Sequence, residues 1–336
     1  MSADSGKIGS ALQGPRERKK RRVKWGPIRS LGRIARHTGG IKGMAAAKKG
    51  KRQSVWMQDL TWEEIAEYLE GEDIVIVPIG STEPHGPHLP IGVDGFEAID
   101  YSEGIAEAAG VLCAPPTWFG DAQHHMHKPG ISLMPETVVA LLKDIYRSLI
   151  RHGFKKVITF NGHRLANTAA IGIATKTIKQ EFPEVIFALY DPLMIAATTH
   201  REVCENPGAG QHGGEFETSH MLYRRGHLVQ MDKAFECRGR LLFETRFFSH
   251  DHLGGGDRIP ITIDAKDQSF YTPPAHIGDP TVATAEKGEM LWNAIIGNGV
   301  EFIESLRKFR PAKRRKYPRA VQSTGAGSRP KGRKSK

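Results

Sequence analysis

The sequence contains little cysteine and no long apolar segment. Among its 336 residues are three cysteines, Cys113, Cys204 and Cys237, which are widely spaced and odd in number. This pattern argues against a disulfide framework or a cysteine zinc site and favours a reducing compartment, so we expect a cytoplasmic protein. No apolar run is long enough to cross a bilayer, and no apolar signal segment follows the basic N-terminus. We therefore expect neither a membrane span nor a secretory signal.

The sequence also lacks an internal repeat, and its net charge of +11 is distributed very unevenly. Residues 1–52 hold 16 Lys and Arg but 2 acidic residues, and residues 306–336 hold 13 Lys and Arg and no acid. Residues 53–305 hold 19 basic and 35 acidic residues, a net charge of −16. The composition predicts a disordered basic N-terminal extension (1–52), a globular domain (53–305) and a basic C-terminal tail (306–336).

The two basic segments allow two interpretations. They could contact nucleic acid, an anionic membrane or an acidic neighbouring subunit, and the domain would then serve as a scaffold. Alternatively, they are solvated extensions that have no dedicated partner. The second interpretation is favoured because neither aromatic interleaving nor a nucleic-acid-binding motif accompanies the charge.

The acidic domain alternates apolar strand patterns with amphipathic helix patterns. Strands are predicted at residues 73–80, 111–116, 155–162 and 185–191. Helices are predicted at residues 61–71, 96–110, 135–153, 166–182, 217–226 and 280–309, whereas residues 227–275 show no clear pattern. This alternation predicts an α/β fold of three layers, α/β/α, with a mainly parallel central sheet.

Three polar clusters stand where a predicted strand has ended or a helix is about to begin. They read GSTEPHGPHLPIGVD (80–94), NGHRLAN (161–167) and QHGGEFETS (211–219). In parallel sheets the reacting groups lie on loops beyond the carboxyl ends of the strands, so we expect the clusters to converge at one edge.

The first cluster offers Glu83, His85 and Asp94 on a loop rich in proline and glycine. Two carboxylates and an imidazole suit Zn²⁺, Mn²⁺ or Fe²⁺, and one carboxylate can bridge two ions. The alternative is that Asp94 caps the following helix and that the histidines are ordinary loop residues.

The other two clusters add further candidate ligands. His163 follows an apolar strand directly and is placed like a ligand, although it could instead be a turn or capping histidine. His212, Glu215 and Glu217 precede a helix. The alternative for the two glutamates is that they are acids favoured in a first helical turn by the helix dipole.

These motifs, followed by GDPTVATAEKG (278–288), resemble the creatininase family of metal-dependent hydrolases over about residues 55–305. The resemblance implies an α/β/α fold, two divalent ions, a small-molecule substrate and a homo-oligomer, namely a hexamer. It implies that Glu83 binds one ion, His85 the other, and that Asp94 bridges them. It further implies that His163 binds the ion shared with Glu83.

The same resemblance makes His212 the catalytic histidine. An imidazole titrates near neutral pH, so His212 would protonate the leaving atom. Glu217, or a water, would complete the second ion's ligands. We therefore predict two catalytic residues, His212 and Glu217, and five metal ligands, Glu83, His85, Asp94, His163 and Glu217.

The sequence departs from family members that open creatinine. Those members carry a glutamate two residues after the NGH histidine, where this chain has Leu165. They also have a tryptophan and a glutamate just before the catalytic histidine, where this chain has no tryptophan and has Gln211 in place of the acid. We predict a small cyclic substrate other than creatinine. Relatives that cut a C–C bond in cyclic inositol-derived diketones, or that cut formamides or small peptides, supply the alternatives.

Three further residues each allow two interpretations. His88 and His125 could contact the substrate or support the ligands, or they could be structural loop histidines. Arg164 could hold a polyol or an anionic substrate, or it could be a surface arginine. A catalytically inactive assembly protein is a third possible class, but such a protein would have no physical need for the Glu83, His85, Asp94 and His163 set.

Overall fold

The computed structural model describes residues 53–206, 212–240 and 262–309. The predicted N-terminal extension (1–52), Gln211 and residues 310–336 of the predicted tail lie outside the described residues. None of the helices in the described ranges is long and apolar enough to cross a bilayer.

Four parallel strands form one sheet in the order β2-β1-β3-β4. The strands are β1 (Ile74–Ile79), β2 (Leu112–Cys113), β3 (Lys156–Asn161) and β4 (Ile186–Tyr190). All four lie within the predicted segments. The ladder of β2 is shorter than the predicted 111–116, and the prolines at 115 and 116 have no N–H to donate to a neighbouring strand.

Nine α-helices connect and cover these strands in the described ranges. They are α1 (Trp62–Leu69), α2 (Val93–Ala109), α3 (Pro135–His152), α4 (Arg164–Glu181), α5 (Pro192–Ile195), α6 (Ala197–Val203), α7 (Glu215–Arg225), α8 (Ala265–Tyr271) and α9 (Ala285–Lys308). The sequence patterns predicted all of them except the short helices α5, α6 and α8. α9 begins at Ala285 rather than at residue 280, because Thr284 caps it by accepting the N–H of Lys287.

The helices pack on both faces of the sheet and create two apolar cores. Ile74 and Ile76 of β1 face one core with residues of α2 and α9, whereas Val75, Val77 and Ile79 face the other with residues of α1, α3 and α4. Successive side chains of a strand point to opposite faces, so a β1 that is buried on both sides reads as a continuous apolar run. The predicted three-layer α/β/α architecture is confirmed.

Two glycines at the carboxyl ends of the strands fix the start of α2. A Cβ on Gly162 would lie 2.1 Å from the carbonyl oxygen of Asp94, and one on Gly80 would lie 2.6 Å from the same oxygen. Only glycine permits this close approach. The first turn of α2, which carries Asp94, therefore packs closely against the carboxyl ends of β1 and β3.

Candidate metal centre

Five of the predicted site residues meet at this edge of the sheet. Glu83 and His85 lie on the loop after β1, Asp94 in the first turn of α2, His163 just before α4, and Glu217 in the first turn of α7. All five side chains are buried. Their possible ligand atoms form two sets, Glu83–Asp94–His163 and His85–Asp94–Glu217, and within each set the atoms lie within 4.8 Å of one another. Asp94 belongs to both sets.

Asp94 does not cap α2. The helix begins at Val93, three residues earlier than predicted, and its N-cap is Gly92, with no side-chain cap. Asp94 Oδ1 lies 3.0 Å from His85 Nε2, and Oδ2 lies 3.1 Å from His163 Nδ1. The alternative in which this carboxylate serves as a helix cap is therefore wrong.

Backbone carbonyls orient the two histidines that could bind an ion, His85 and His163. His85 Nδ1 donates to the carbonyl of Glu83 at 3.0 Å, and His163 Nε2 donates to the carbonyl of Asp121 at 2.9 Å. The other nitrogen of each ring therefore points toward Asp94. A second hydrogen bond that fixes the tautomer and the ring orientation is the usual support of a metal-binding histidine.

His212 approaches the same centre in a similar way. Its Nε2 donates to the carbonyl of Pro84 at 2.8 Å, and its Nδ1 lies 3.6 Å from Glu83 Oε1. Its ring stacks on that of His125 at 4.0 Å between centroids. Burial, together with the nearby His85, holds the pKa of His212 well below its usual range, so the ring is neutral with a free lone pair on Nδ1.

Two buried carboxylate oxygens in the centre lack a hydrogen-bond partner among the described residues, Glu83 Oε1 and Asp94 Oδ2. Imidazole nitrogens of His163, His125 and His212 surround Glu83 Oε1 at 3.4, 3.6 and 3.6 Å. Buried carboxylates without partners are costly, and a cation between these oxygen and nitrogen atoms would satisfy both. The donor set of carboxylates and imidazoles therefore fits Zn²⁺, Mn²⁺ or Fe²⁺.

In the metal-free protein, protons balance the buried charge. Burial raises the pKa of Glu83 to about 8, and burial with Asp94 raises the pKa of Glu217 to about 7. Burial opposes the charged form of His85, but Asp94 and Glu217 raise its pKa to about 10. Burial likewise opposes a charged His163, but Glu83 and Asp94 raise its pKa to about 9. Although burial disfavours the Asp94 carboxylate, the two histidines hold its pKa well below the usual range.

The two glutamates of the third cluster have different surroundings. Glu217 Oε2 accepts the N–H of Gly213 and lies 3.7 Å from His85 Nε2. Glu215 points away from the centre: it accepts the N–H groups of Glu205 and Asn206 and pairs with Lys287. Glu217 therefore belongs to the centre, whereas Glu215 is a first-turn acid that binds other parts of the chain.

His88, His125 and Arg164 have different surroundings. His125 Nε2 lies 3.6 Å from Glu83 Oε1, so it is part of the centre. His88 is directed elsewhere, and its Nε2 is hydrogen-bonded to Thr218 Oγ1 at 3.1 Å. Arg164 Nε donates to Asp191 Oδ2 at 3.1 Å, so its guanidinium already has a carboxylate partner.

The sequence did not predict His124 as a site residue. It lies with His125 on the 3-10 turn Gln123–His125 and forms a further possible ligand set with Glu83 and His125. Burial and the neighbouring His163 lower the pKa of His124 to about 4. The only signal in the sequence is the density of histidines in HHMH (124–127), which does not tell which of them faces a site.

A cavity of about 180 Å³ opens onto the centre. Besides Asp94, His163, His212 and Glu217, its lining includes His124, His125, Arg164, Leu165, Ile263, Gln268, Tyr271 and Ile277. Leu165, which stands where creatinine-opening relatives have a glutamate, is 66% exposed at the rim. A larger cavity of about 640 Å³ lies at the opposite end of the strands, beside Asp73, which precedes β1, and Lys156, which begins β3. This cavity holds none of the metal-ligand sets.

Comparisons with known proteins agree with this geometry. The profile of the creatininase family, described as creatinine amidohydrolase, matches residues 58–303. The chain is 28% identical over 268 residues to a 3-dehydro-scyllo-inosose hydrolase of Thermotoga maritima, covering 75% of this chain and 82% of that protein. It is 29% identical over 255 residues to a creatinine amidohydrolase of Pseudomonas putida, covering 71% of this chain and 92% of that protein. A crystal structure of creatinine amidohydrolase (creatininase) superposes with a TM-score of 0.65 at 23% identity, covering 78% of this chain and all of that one. The chain therefore belongs to the creatininase family of hydrolases.

Proposed function

We propose that the protein uses two divalent ions to hydrolyse a small, neutral, cyclic substrate. The observation that carries this proposal is the pair of donor sets that share Asp94. Glu83, Asp94 and His163 would hold one ion, and His85, Asp94 and Glu217 would hold the other. Two such ions supply a water of lowered pKa and polarise a carbonyl group.

His212 would transfer a proton to the leaving atom. Its Nε2 is occupied by the carbonyl of Pro84, so only Nδ1 faces the centre. A neutral imidazole can accept a proton at Nδ1 and then donate it to the leaving atom, as a general base followed by a general acid. Glu217 would have two functions, since its carboxylate completes the second donor set and also accepts the N–H of Gly213, next to His212.

The cavity lining supports an uncharged substrate with hydroxyl and carbonyl groups. Burial lowers the pKa of both His124 and His125, so these rings are neutral hydrogen-bonding groups. Gln268 and Tyr271 add polar groups without charge. Arg164 is paired with Asp191, which disfavours the anionic substrate that a free arginine would have attracted. These features favour a polyhydroxylated ring, and C–C cleavage of a cyclic inositol-derived diketone is our first choice.

Creatinine fits the cavity poorly. The described lining contains no tryptophan to stack against a flat ring, and Leu165 offers no carboxylate. Hydrolysis of a cyclic amide or a formamide remains the second candidate, because the same centre can polarise an amide carbonyl and His212 can protonate a nitrogen leaving group.

The test is a hydrolysis screen with the full chain loaded separately with Zn²⁺, Mn²⁺ and Fe²⁺. The panel contains creatinine, formamides and cyclic diketo-inositols. We expect ring opening of a diketo-inositol, and creatinine turnover far below the common kcat/KM range of about 10⁴ M⁻¹s⁻¹ and above. Efficient creatinine hydrolysis would refute the substrate assignment, and no hydrolysis by a fully loaded protein would refute the enzymatic one.

A homo-oligomer, and specifically a hexamer, is also part of the proposal. The acidic domain would offer neighbouring subunits a surface for the basic segments, whose exposed contacts are individually weak and are screened by salt. Light scattering of the full chain at low and high ionic strength measures the mass. Binding of double-stranded DNA that survives physiological salt would instead favour a nucleic-acid role for the basic segments.

A further inference from the structure

We propose that Glu215 and Lys287 form an ion pair that positions His212. The proposal rests on the catalytic role proposed for His212. His212 lies on the connection from α6 to α7, three residues before Glu215, so its place depends on what holds the start of α7.

Glu215 binds the beginning of the connection through the backbone. Its Oε2 accepts the N–H of Glu205 at 2.9 Å and that of Asn206 at 3.2 Å, and Oε1 accepts the N–H of Glu205 at 3.1 Å. The Glu215 side chain is 3% exposed. A buried carboxylate that accepts main-chain N–H groups fixes the position of that backbone, here at Glu205 and Asn206.

Lys287 of α9 holds this carboxylate in place. Its Nζ lies 2.5 Å from Glu215 Oε1, 3.0 Å from Glu205 Oε1 and 2.7 Å from the carbonyl of Val282. These three acceptors match the three N–H donors of an ammonium group. Lys287 of α9 is therefore hydrogen-bonded both to α7 and to the start of the connection.

His212 lies at the other end of the connection, next to the start of α7. The carbonyl of His212 accepts the N–H of Ile277 at 2.8 Å, and the N–H of Gly213 donates to Glu217. Gly213 has φ +61°, and a Cβ there would lie 2.7 Å from the carbonyl oxygen of His85. Two first-turn carboxylates of α7 therefore bind the two ends of the connection, Glu215 at the start and Glu217 at the end.

Loss of the ion pair should change the position of His212 more than it changes the ion ligands. Among the described residues, none of the five proposed ligands is hydrogen-bonded or ion-paired to Lys287 or Glu215. A displacement of about 1 Å at a catalytic group costs about 10²-fold in rate. We expect Lys287→Gln to lower kcat by about 10-fold to 10²-fold, with the ion content and KM unchanged.

The test compares Lys287→Gln and Glu215→Gln with the conservative Lys287→Arg. The matched control is Lys156→Gln, because Lys156 is exposed to the same extent as Lys287, 14% against 15%, and pairs with Asp73 at 2.6 Å at the opposite end of the strands. Each full-length variant is loaded with Zn²⁺ and measured for zinc content, kcat and KM. The imidazole ¹⁵N resonances of histidine-labelled protein report the environment of His212, which a His212→Gln sample assigns.

We expect Lys287→Gln and Glu215→Gln to lose kcat and to shift the His212 resonances, Lys287→Arg to recover most of both, and Lys156→Gln to change neither. Equal kcat in Lys287→Gln and Lys156→Gln would overturn the proposal. If Lys287→Gln does not fold, Glu215→Gln decides, since it retains an acceptor for the two N–H groups. If the wild type hydrolyses nothing, the proposed function fails, and the His212 resonances alone decide: unchanged resonances in both glutamine variants overturn the positioning role.

Discussion

Metal binding to the metal-free protein should release protons. The buried carboxylates and histidines of the centre hold protons where cations would sit, because burial and mutual interaction raise the pKa of four of them. Ligands must lose these protons to bind a divalent ion. The ion and the protons therefore compete, and the affinity of the centre must rise with pH.

The size of the effect follows from the four pKa values. At pH 7, His85 with a pKa of about 10 and His163 with a pKa of about 9 are almost fully protonated. Glu83, with a pKa of about 8, is mostly protonated, and Glu217, with a pKa of about 7, is about half protonated. Filling both ion sites should then release about three protons, and the product of the two binding constants should rise about 10³-fold per pH unit near pH 7.

Isothermal titration calorimetry of metal-free protein with Mn²⁺ measures this release directly, when it is repeated in buffers of different ionisation enthalpy. His88→Gln is the matched control, because His88 is a buried imidazole outside both donor sets, and we expect the same release as in the wild type. A release of less than one proton, or an affinity that does not change between pH 6 and 8, would refute the proposed balance of charge.

The remaining predictions concern the ions, the proton donor, stability and the basic segments. Asp94→Asn should lose most of both bound ions, which metal analysis measures; two retained ions would contradict the shared ligand. His212→Gln should keep the ions and slow turnover by about 10²–10⁴-fold; lost ions would make it a ligand. His85 and His163 bind protons more tightly in the folded metal-free protein than in the unfolded chain, so their protonation stabilises the fold. This contribution is complete below about pH 6.5 and is lost as pH rises through about 9 to 10. The melting temperature of the metal-free protein should therefore fall between about pH 6.5 and 10, and that of the loaded protein should not. A truncated chain of residues 53–309, which keeps all of α9, should bind both ions and retain kcat; lost turnover with retained ions would show that a basic segment reaches the centre.

Much of the fold could be predicted because its signals are local. The capping box of Thr61 and Glu64 starts α1 within the predicted segment 61–71, and Gly153, at φ 117°, ends α3 at the last residue of the predicted segment 135–153. The apolar run at residues 73–80 predicted β1, and the structure shows it buried on both faces. Polar clusters after β1 and β3 predicted convergence at one edge, since parallel strands end together there.

Features that depend on contacts between distant residues could not be predicted in this way. The start of α2 is fixed by close packing of Asp94 against Gly80 and Gly162, which no local pattern reveals. Helix α8 has only 7 residues and lies within residues 227–275, where the sequence showed no clear pattern. Glu215 and Glu217 look equivalent in the sequence, and their different roles are decided by Lys287, which lies 72 residues from Glu215.

Anomalous scattering from crystals of the Mn²⁺-loaded full chain would show directly whether two ions share Asp94. Two-metal sites hold their ions about 3.5–4 Å apart. We predict two anomalous peaks at that separation, one beside Glu83 and His163 and the other beside His85 and Glu217, with Asp94 contacting both. A single peak, or two peaks that do not share Asp94, would contradict the account.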